Sequence, residues 1–235
     1  MRVLVIDTSS RPVAACIDAV GGDAASAHLL GHVRGVHDRR HAEELAPAVA
    51  ELVGEHGTPD LVVVGTGPGP FTGLRVGLVT ARALARGWGA ALAGVPSLDA
   101  VARDALDDAP GATVVVATDA RRREVHHGRY RARGAHEVEV LAAPAVAAPA
   151  DVRRELEPND VVVGEMAPAV TATDDGTGDH GAREVEAGSS GAGSAAFPLA
   201  LARLALARLA AGEELPAEPL YLRRPDAAVP AQVRP

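Results

Sequence analysis

The stretch from Leu61 to Gly77 constrains the fold of this 235-residue chain more than any other. An apolar run, Leu61-Val62-Val63-Val64, enters Gly65-Thr66-Gly67-Pro68-Gly69-Pro70 and then Phe71-Thr72-Gly73-Leu74-Arg75-Val76-Gly77. A short unbroken Leu/Val run reads as a strand buried on both faces, and a Gly/Pro cluster ends it. Apolar residues then recur at helical spacing, which predicts a helix over Thr72–Arg86 with Thr72 as N-cap. Strand, glycine loop and helix in that order belong to an α/β fold, where the loop lets backbone approach an anion or another chain. Gly73 and Gly77, four residues apart, are expected to leave a flat helix face for close packing.

The loop is neither of the common nucleotide fingerprints. Leu74 follows Gly73 where a P-loop needs Lys, and the chain has no lysine at all. The glycines at 65, 67, 69 and 73 miss the dinucleotide spacing, and no acidic residue follows at the right distance.

Upstream, Val3–Asp7, Val13–Ala19 and His28–Val33 read as an antiparallel meander with a hairpin-type break at Gly21-Gly22. A helix over Asp38–Val53 carries Leu45, Val49 and Leu52 on one face and is expected to kink at Pro47. Ala91–Val95 reads as a strand and Ser97–Leu106 as a helix capped by Ser97. The pattern then restarts with strands at Ala112–Thr118, Glu124–Arg131 and Val138–Leu141. Leu4-Val5-Ile6-Asp7 and Val116-Ala117-Thr118-Asp119 each open a half with an apolar strand closed by Asp. Two α/β lobes are expected, 1–109 and 110–235, with a flexible loop at 171–195, a Leu-rich core helix over Ala196–Leu209 and an extended tail from Leu215.

A net charge of -8 disfavours binding of a polyphosphate by the chain alone. The five aromatics, Phe71, Trp88, Tyr130, Phe197 and Tyr221, are scattered, which argues against a base-stacking platform. Cys16 stands alone, so no internal disulfide or multi-thiolate metal site can form. No apolar run is long enough to span a bilayer, so no membrane association and a cytoplasmic location are expected. Arg121-Arg122-Arg123 and Arg129, Arg131, Arg133 are the basic clusters; they read as a solvated, partly acid-paired surface, with tRNA contact inside a larger complex as the alternative.

Gly67-Pro68-Gly69-Pro70-Phe71-Thr72-Gly73-Leu74-Arg75-Val76-Gly77 resembles the GPGxFTGLRxG signature of the TsaB family. Ile6-Asp7-Thr8-Ser9, Arg40-His41-Ala42-Glu43, Gly94-Val95-Pro96-Ser97-Leu98-Asp99, Asp119-Ala120-Arg121-Arg122-Arg123-Glu124-Val125 and Pro219-Leu220-Tyr221-Leu222-Arg223 resemble further family blocks, in order along the chain. Pro70, Ala42 and His126 depart from the usual Ser, Ser and Tyr. The resemblance implies a two-lobed actin-like ATPase fold, ribonuclease H-like, with mixed sheets flanked by helices. It further implies a non-catalytic subunit that pairs with the catalytic TsaD-like protein in making threonylcarbamoyladenosine beside the tRNA anticodon. A TsaE-like ATPase would join that pair, ATP and metal would sit on the partners, and the free chain could homodimerise.

No histidine lies between His56 and His126, where TsaD-like relatives carry a His-x-x-x-His metal pair, so neither a catalytic residue nor a metal site is expected. His37 and His41 have i, i+4 spacing, but His37 is expected to precede the helix. Asp7, Thr8 and Ser9 are candidates for residual nucleotide contact, since Asp7 and Asp119 occupy positions where actin-fold ATPases hold magnesium. Capping of the following turn is the competing role. The partner surface is expected on the first two helices, at His41, Glu44, Leu45, Leu52, Thr72, Gly73, Arg75, Val76, Gly77 and Thr80. The alternatives are an autonomous ATP-dependent kinase or ATPase of this fold, and a metallopeptidase, which would need a metal site.

Overall fold

The computed structural model describes residues 1–35, 41–172, 183–184 and 196–223. The first half contains β1 (Arg2–Asp7), β2 (Val13–Asp18), β3 (His28–Arg34), α1 (His41–His56), β4 (Leu61–Gly65), α2 (Phe71–Trp88), β5 (Ala91–Val95) and α3 (Ser97–Asp108). The second contains β6 (Thr113–Asp119), β7 (Val125–Ala132), β8 (Val138–Ala147), α4 (Pro149–Arg154), β9 (Asp160–Val163), α5 (Ala167–Thr171), β10 (Arg183–Glu184) and α6 (Phe197–Ala210).

The two sheets repeat one topology. The first runs β3-β2-β1-β4-β5 and the second β8-β7-β6-β9-β10, each with three antiparallel strands followed by two parallel ones. The weak likeness between Leu4–Asp7 and Val116–Asp119 therefore marks equivalent central strands, and the architecture is the mixed two-sheet, actin-like arrangement.

Strand alternation sorts the core into layers. Leu4, Ile6, Val62 and Val64 meet α1 and α2 through Leu45, Val49, Leu52, Leu78 and Ala81. On the opposite face of the same sheet, Val3, Val5, Ile17, Leu61 and Val63 share one cluster with Leu98, Val101, Leu201 and Leu204, and with Val114, Val116, Val163 and Tyr130 of the second sheet. Here the halves cross over. Helix α6 packs on β1, β2, β4 and β5 of the first sheet, while α3 packs on β6 and β7 of the second, and the two helices pack on each other.

A buried ion cluster ties this crossing together. The Arg208 guanidinium on α6 reaches Asp99 of α3 at 2.9 Å and Glu137, just before β8, at 2.6 Å. Burial raises the pKa of Asp99 and Arg208 opposes it. Burial would also raise Glu137, but hydrogen bonds from Arg208 and the Val138 amide, together with the charges of Arg208 and Arg133, hold that carboxyl below its usual range.

Several local expectations are corrected. Thr72 is not an N-cap: α2 starts at Phe71 after Pro70, with no side-chain cap. Nor is Ser97, the first residue of α3 behind Pro96, whose hydroxyl is used elsewhere. Proline's fixed φ preorganises both helix starts. Two 3-10 turns, Val20–Gly22 and Ala24–Ser26, replace a tight hairpin. Strand β8 extends to Ala147, and Arg183–Glu184 within the expected loop pair with β9 in parallel. The rest of 173–195, His37 and the tail beyond 223 lie outside the described residues.

Replacing Arg208 with Met should leave two poorly solvated carboxylates facing each other and lower unfolding free energy by about 2–4 kcal/mol. Urea denaturation of the two proteins measures it.

Candidate functional site

The glycine loop is held from below by Asp7, at the end of β1. Its carboxylate is fully buried. It accepts hydrogen bonds from the Ser9 amide at 2.9 Å, the Ser9 hydroxyl at 2.6 Å and the Ser97 hydroxyl at 2.6 Å. Ser97 Oγ in turn accepts from the Gly67 amide at 3.1 Å, and the Ser97 amide donates to the Gly67 carbonyl at 2.8 Å. Gly67 has φ of +95°, closed to most side chains. Thr8 donates its hydroxyl to the Gly73 carbonyl at 2.8 Å, bolting the first turn of α2 to β1.

A C-terminal strap crosses the loop. The Gly94 amide bonds Leu215 and the Leu220 amide bonds Thr66, each at 2.9 Å. This brings Tyr221 onto Phe71, with ring centroids 5.0 Å apart and 28° between planes. Arg75 lies over the Phe71 ring at 3.7 Å and donates to the Tyr221 hydroxyl at 3.1 Å. The expectation of scattered aromatics is therefore corrected: two of the five form a guanidinium-capped stack.

Facing the loop is the β6–β7 turn, where Arg121, Arg122 and Arg123 have φ of +62°, +56° and +63°. Left-handed backbone costs an L-residue about 1–2 kcal/mol. The turn is held by the Arg121 amide on Asp119 Oδ1 at 2.7 Å and by two backbone bonds, from the Ala120 amide to the Glu124 carbonyl and from the Glu124 amide to the Arg121 carbonyl. The Arg121 guanidinium pairs with Asp119 at 3.0 Å, and Arg223 of the strap pairs with Glu124. Two adjoining hollows result. One of about 290 Å³ is bounded by Pro68–Phe71, Asp119–Arg122, His126, Val146 and Leu220–Arg223. The other, about 160 Å³, lies between Ser9–Arg11 and the Asp119 turn, with Glu165 beside it.

The donor set at the actin-type magnesium position does not fit a hydrated cation. Asp7 is buried behind the hydroxyls of Ser9 and Ser97 and caps its own turn; Asp119 already faces a guanidinium. Among the described residues no group of three or more His, Cys, Asp or Glu is placed to hold a metal. His126 and His127 occupy successive positions of β7 and so opposite faces. Burial depresses the His126 pKa to about 4, against a weak opposing pull from Asp119. Arg129 bonds Glu157 and Asp160, and Arg131 bonds Glu139, so two of the three arginines of this stripe are acid-paired.

The structure divides the residues expected at a partner surface. Leu45 and Leu52 point into the chain's own core. Gly73 and Gly77 are also buried, and a Cβ on Gly77 would strike the Thr8 side chain. The expected flat face thus turns inward, against β1. Glu44 leans over Gly35 and Pro12. The side chain of His41 lies outside the described residues. Thr72, Arg75, Val76 and Thr80 do share one open face of α2 with Phe71 and Val79, and Val79 is 62% exposed.

The sequence profile described as TsaD, tRNA N6-adenosine threonylcarbamoyltransferase, matches residues 27–205. TsaB of Escherichia coli is 32% identical over 136 residues, 56% of this chain and 55% of that protein. The chain belongs to the TsaB family, within that TsaD-like group. An uncharacterized protein of Mycobacterium tuberculosis is 38% identical over 233 residues, covering 96% of this chain and 93% of its own length. One from Mycobacterium leprae is 40% identical over 154 residues, 64% of this chain and 40% of that protein. Among solved structures, a Pseudomonas aeruginosa protein with similarity to peptidase YeaZ has a TM-score of 0.71 at 25% identity, covering 94% of this chain and 99% of that one. YeaZ from Pseudomonas aeruginosa gives 0.68 at 24% over the same shares.

Gly77→Ala should lower stability by about 1–3 kcal/mol through overpacking against Thr8, whereas Gly54→Ala, on the open side of α1, should not; thermal melts of both variants test this. His126 resists protonation in the fold but not in the unfolded chain. Its contribution is therefore intact above pH 6.5 and lost as pH falls toward about 4. His126→Gln should flatten the stability–pH curve across that window, as followed by urea midpoints.

Proposed function

We propose that this chain is a non-catalytic subunit in the formation of threonylcarbamoyladenosine on tRNA, acting by pairing with a TsaD-like catalytic protein. The observation that carries this reading is the open face of α1 and α2. Ala46, Pro47 and Ala50 of α1 are exposed, as are Thr72, Arg75, Val79 and Ala83 of α2. Val79 protrudes from this face beside Thr72, Val76 and Thr80, and an apolar residue left in water gains by being covered by a second pair of helices. The names of the relatives, TsaB of Escherichia coli and of Haemophilus influenzae, supply the pathway.

In this reading the catalytic metal and ATP sit on the partners, and a TsaE-like ATPase docks on the assembled pair. tRNA, read through codons that begin with A, is engaged only within that assembly. The same helical face would serve a homodimer when the chain is alone. The donor set around Asp7 supports the absence of a resident cofactor, and the setting is the cytoplasm. Among the described residues no helix is long and apolar enough to cross a membrane.

Val79→Glu should abolish co-purification with the TsaD-like protein of the same genome while leaving the melting temperature of the free chain nearly unchanged. Gly77→Arg cannot serve as this test, because it attacks the fold through Thr8. Retention of the pair by the Val79 variant would rule out this face.

A further inference from the structure

We infer that the 290 Å³ cavity between the glycine loop, the arginine turn and the C-terminal strap takes one unstacked nucleotide of a single-stranded RNA loop. This rests on the reading above, in which the RNA is a tRNA. Three segments widely separated in the sequence converge here; Phe71, where the glycine loop enters α2, also borders the open face of that helix.

The chemistry of the cavity is unlike that of the chain as a whole. The protein carries -8, yet Arg121, Arg122 and Arg223 line the cavity, with Asp119 beside Arg121 and Glu124 beside Arg223 as ion-pair partners. Arg123 is exposed on the same turn, and Arg75 caps the aromatic pair. A guanidinium has five N–H donors, so the ion pairs of Arg121 and Arg223 orient these groups without exhausting them. Bases in single-stranded RNA are held by stacking on aromatic rings and guanidinium planes, with the flanking phosphates held by cations. Tyr221, whose ring lines the cavity and is held by Phe71 and Arg75 behind it, supplies the first, and the arginine turn the second. Pro68, Val146 and Leu220 give apolar walls suited to a base face. Neutral His126 adds a hydrogen-bonding ring without further charge. The volume lies at the small end for ligand pockets, about 300–1,000 Å³, and suits one base rather than a stacked run.

Three successive left-handed arginines also need a reason. Such backbone persists where the surroundings enforce it, and it clusters at ligand-binding sites. Here it directs consecutive guanidinium-bearing side chains from a tight turn beside the cavity. An acidic segment of a partner protein would meet the same cations but would make no use of the stacked rings.

The test uses the chain paired with its TsaD-like partner and, as probe, an unmodified transcript of a tRNA that reads a codon beginning with A. Affinity is measured by fluorescence anisotropy across a salt series. Arg122→Glu combined with Arg123→Glu, both exposed, should weaken binding about tenfold or more and reduce the salt slope by about 1–2. Tyr221→Ala should weaken it about fivefold or more with the slope unchanged. Gel filtration checks that each variant still pairs. Unchanged tRNA affinity in an intact pair overturns the inference while sparing the pairing reading. Loss of pairing with tRNA affinity retained overturns it in favour of an acidic partner segment. If the wild-type chain does not pair at all, the pairing reading fails, and the transcript is cross-linked to the chain alone. A cross-link at Tyr221 then supports the RNA site, and none there refutes it.

Discussion

The buried carboxylate of Asp7 is the contact on which the geometry of the loop depends. Taking a carboxylate out of water is expensive unless hydrogen bonds replace the lost hydration. Ser9 and Ser97 provide three donors, and their placement fixes how β1, the loop after β4 and the start of α3 meet. Gly65 completes the fit, since a Cβ there would collide with both Asp7 and Ser97. Asp7 thereby serves as a structural joint. Thr8 extends the joint to α2 through the Gly73 carbonyl.

A second theme is that every basic side chain is Arg. A planar fork can satisfy several acceptors at once, and the chain uses it in this way repeatedly. Arg208 bridges Asp99 and Glu137; Arg129 bridges Glu157 and Asp160. Arg103, almost wholly buried, donates to the carbonyls of Gly134 and Glu137 and pairs with Asp107. The Arg208 and Arg103 links gather around α3, α6 and the β7–β8 turn, where the two sheets come together, while the Arg129 link joins β7 to the start of β9.

Much of the fold was legible in the sequence. Unbroken Val/Leu runs located the central strands, and the recurrence of an apolar run closed by Asp anticipated the repeated topology. Hydrophobic spacing identified α1, α2 and α6. It could not say against what each face packs: Leu45, Leu52 and Gly77 look the same whether they meet a partner or the chain's own sheet. A hydroxyl before a helical pattern reads as a cap at Thr72 and Ser97, while the prolines ahead of them set the helix starts. The encounter of Phe71 with Tyr221 had no local signal, since only the path of the strap after α6 creates it. The left-handed arginine turn was equally hidden, because arginine has no propensity for that conformation and tertiary bonds impose it.

The crossing of α3 and α6 has a wider consequence. Each sheet buries its inner face under a helix that the other half of the polypeptide supplies. Severed between α3 and β6, the N-terminal piece would expose Val3, Val5 and Val63 for want of α6, and the C-terminal piece would expose Val114 and Val116 for want of α3. The ribosome must therefore release most of the polypeptide before either sheet can close. Ordering of the second half is a condition for completing the first.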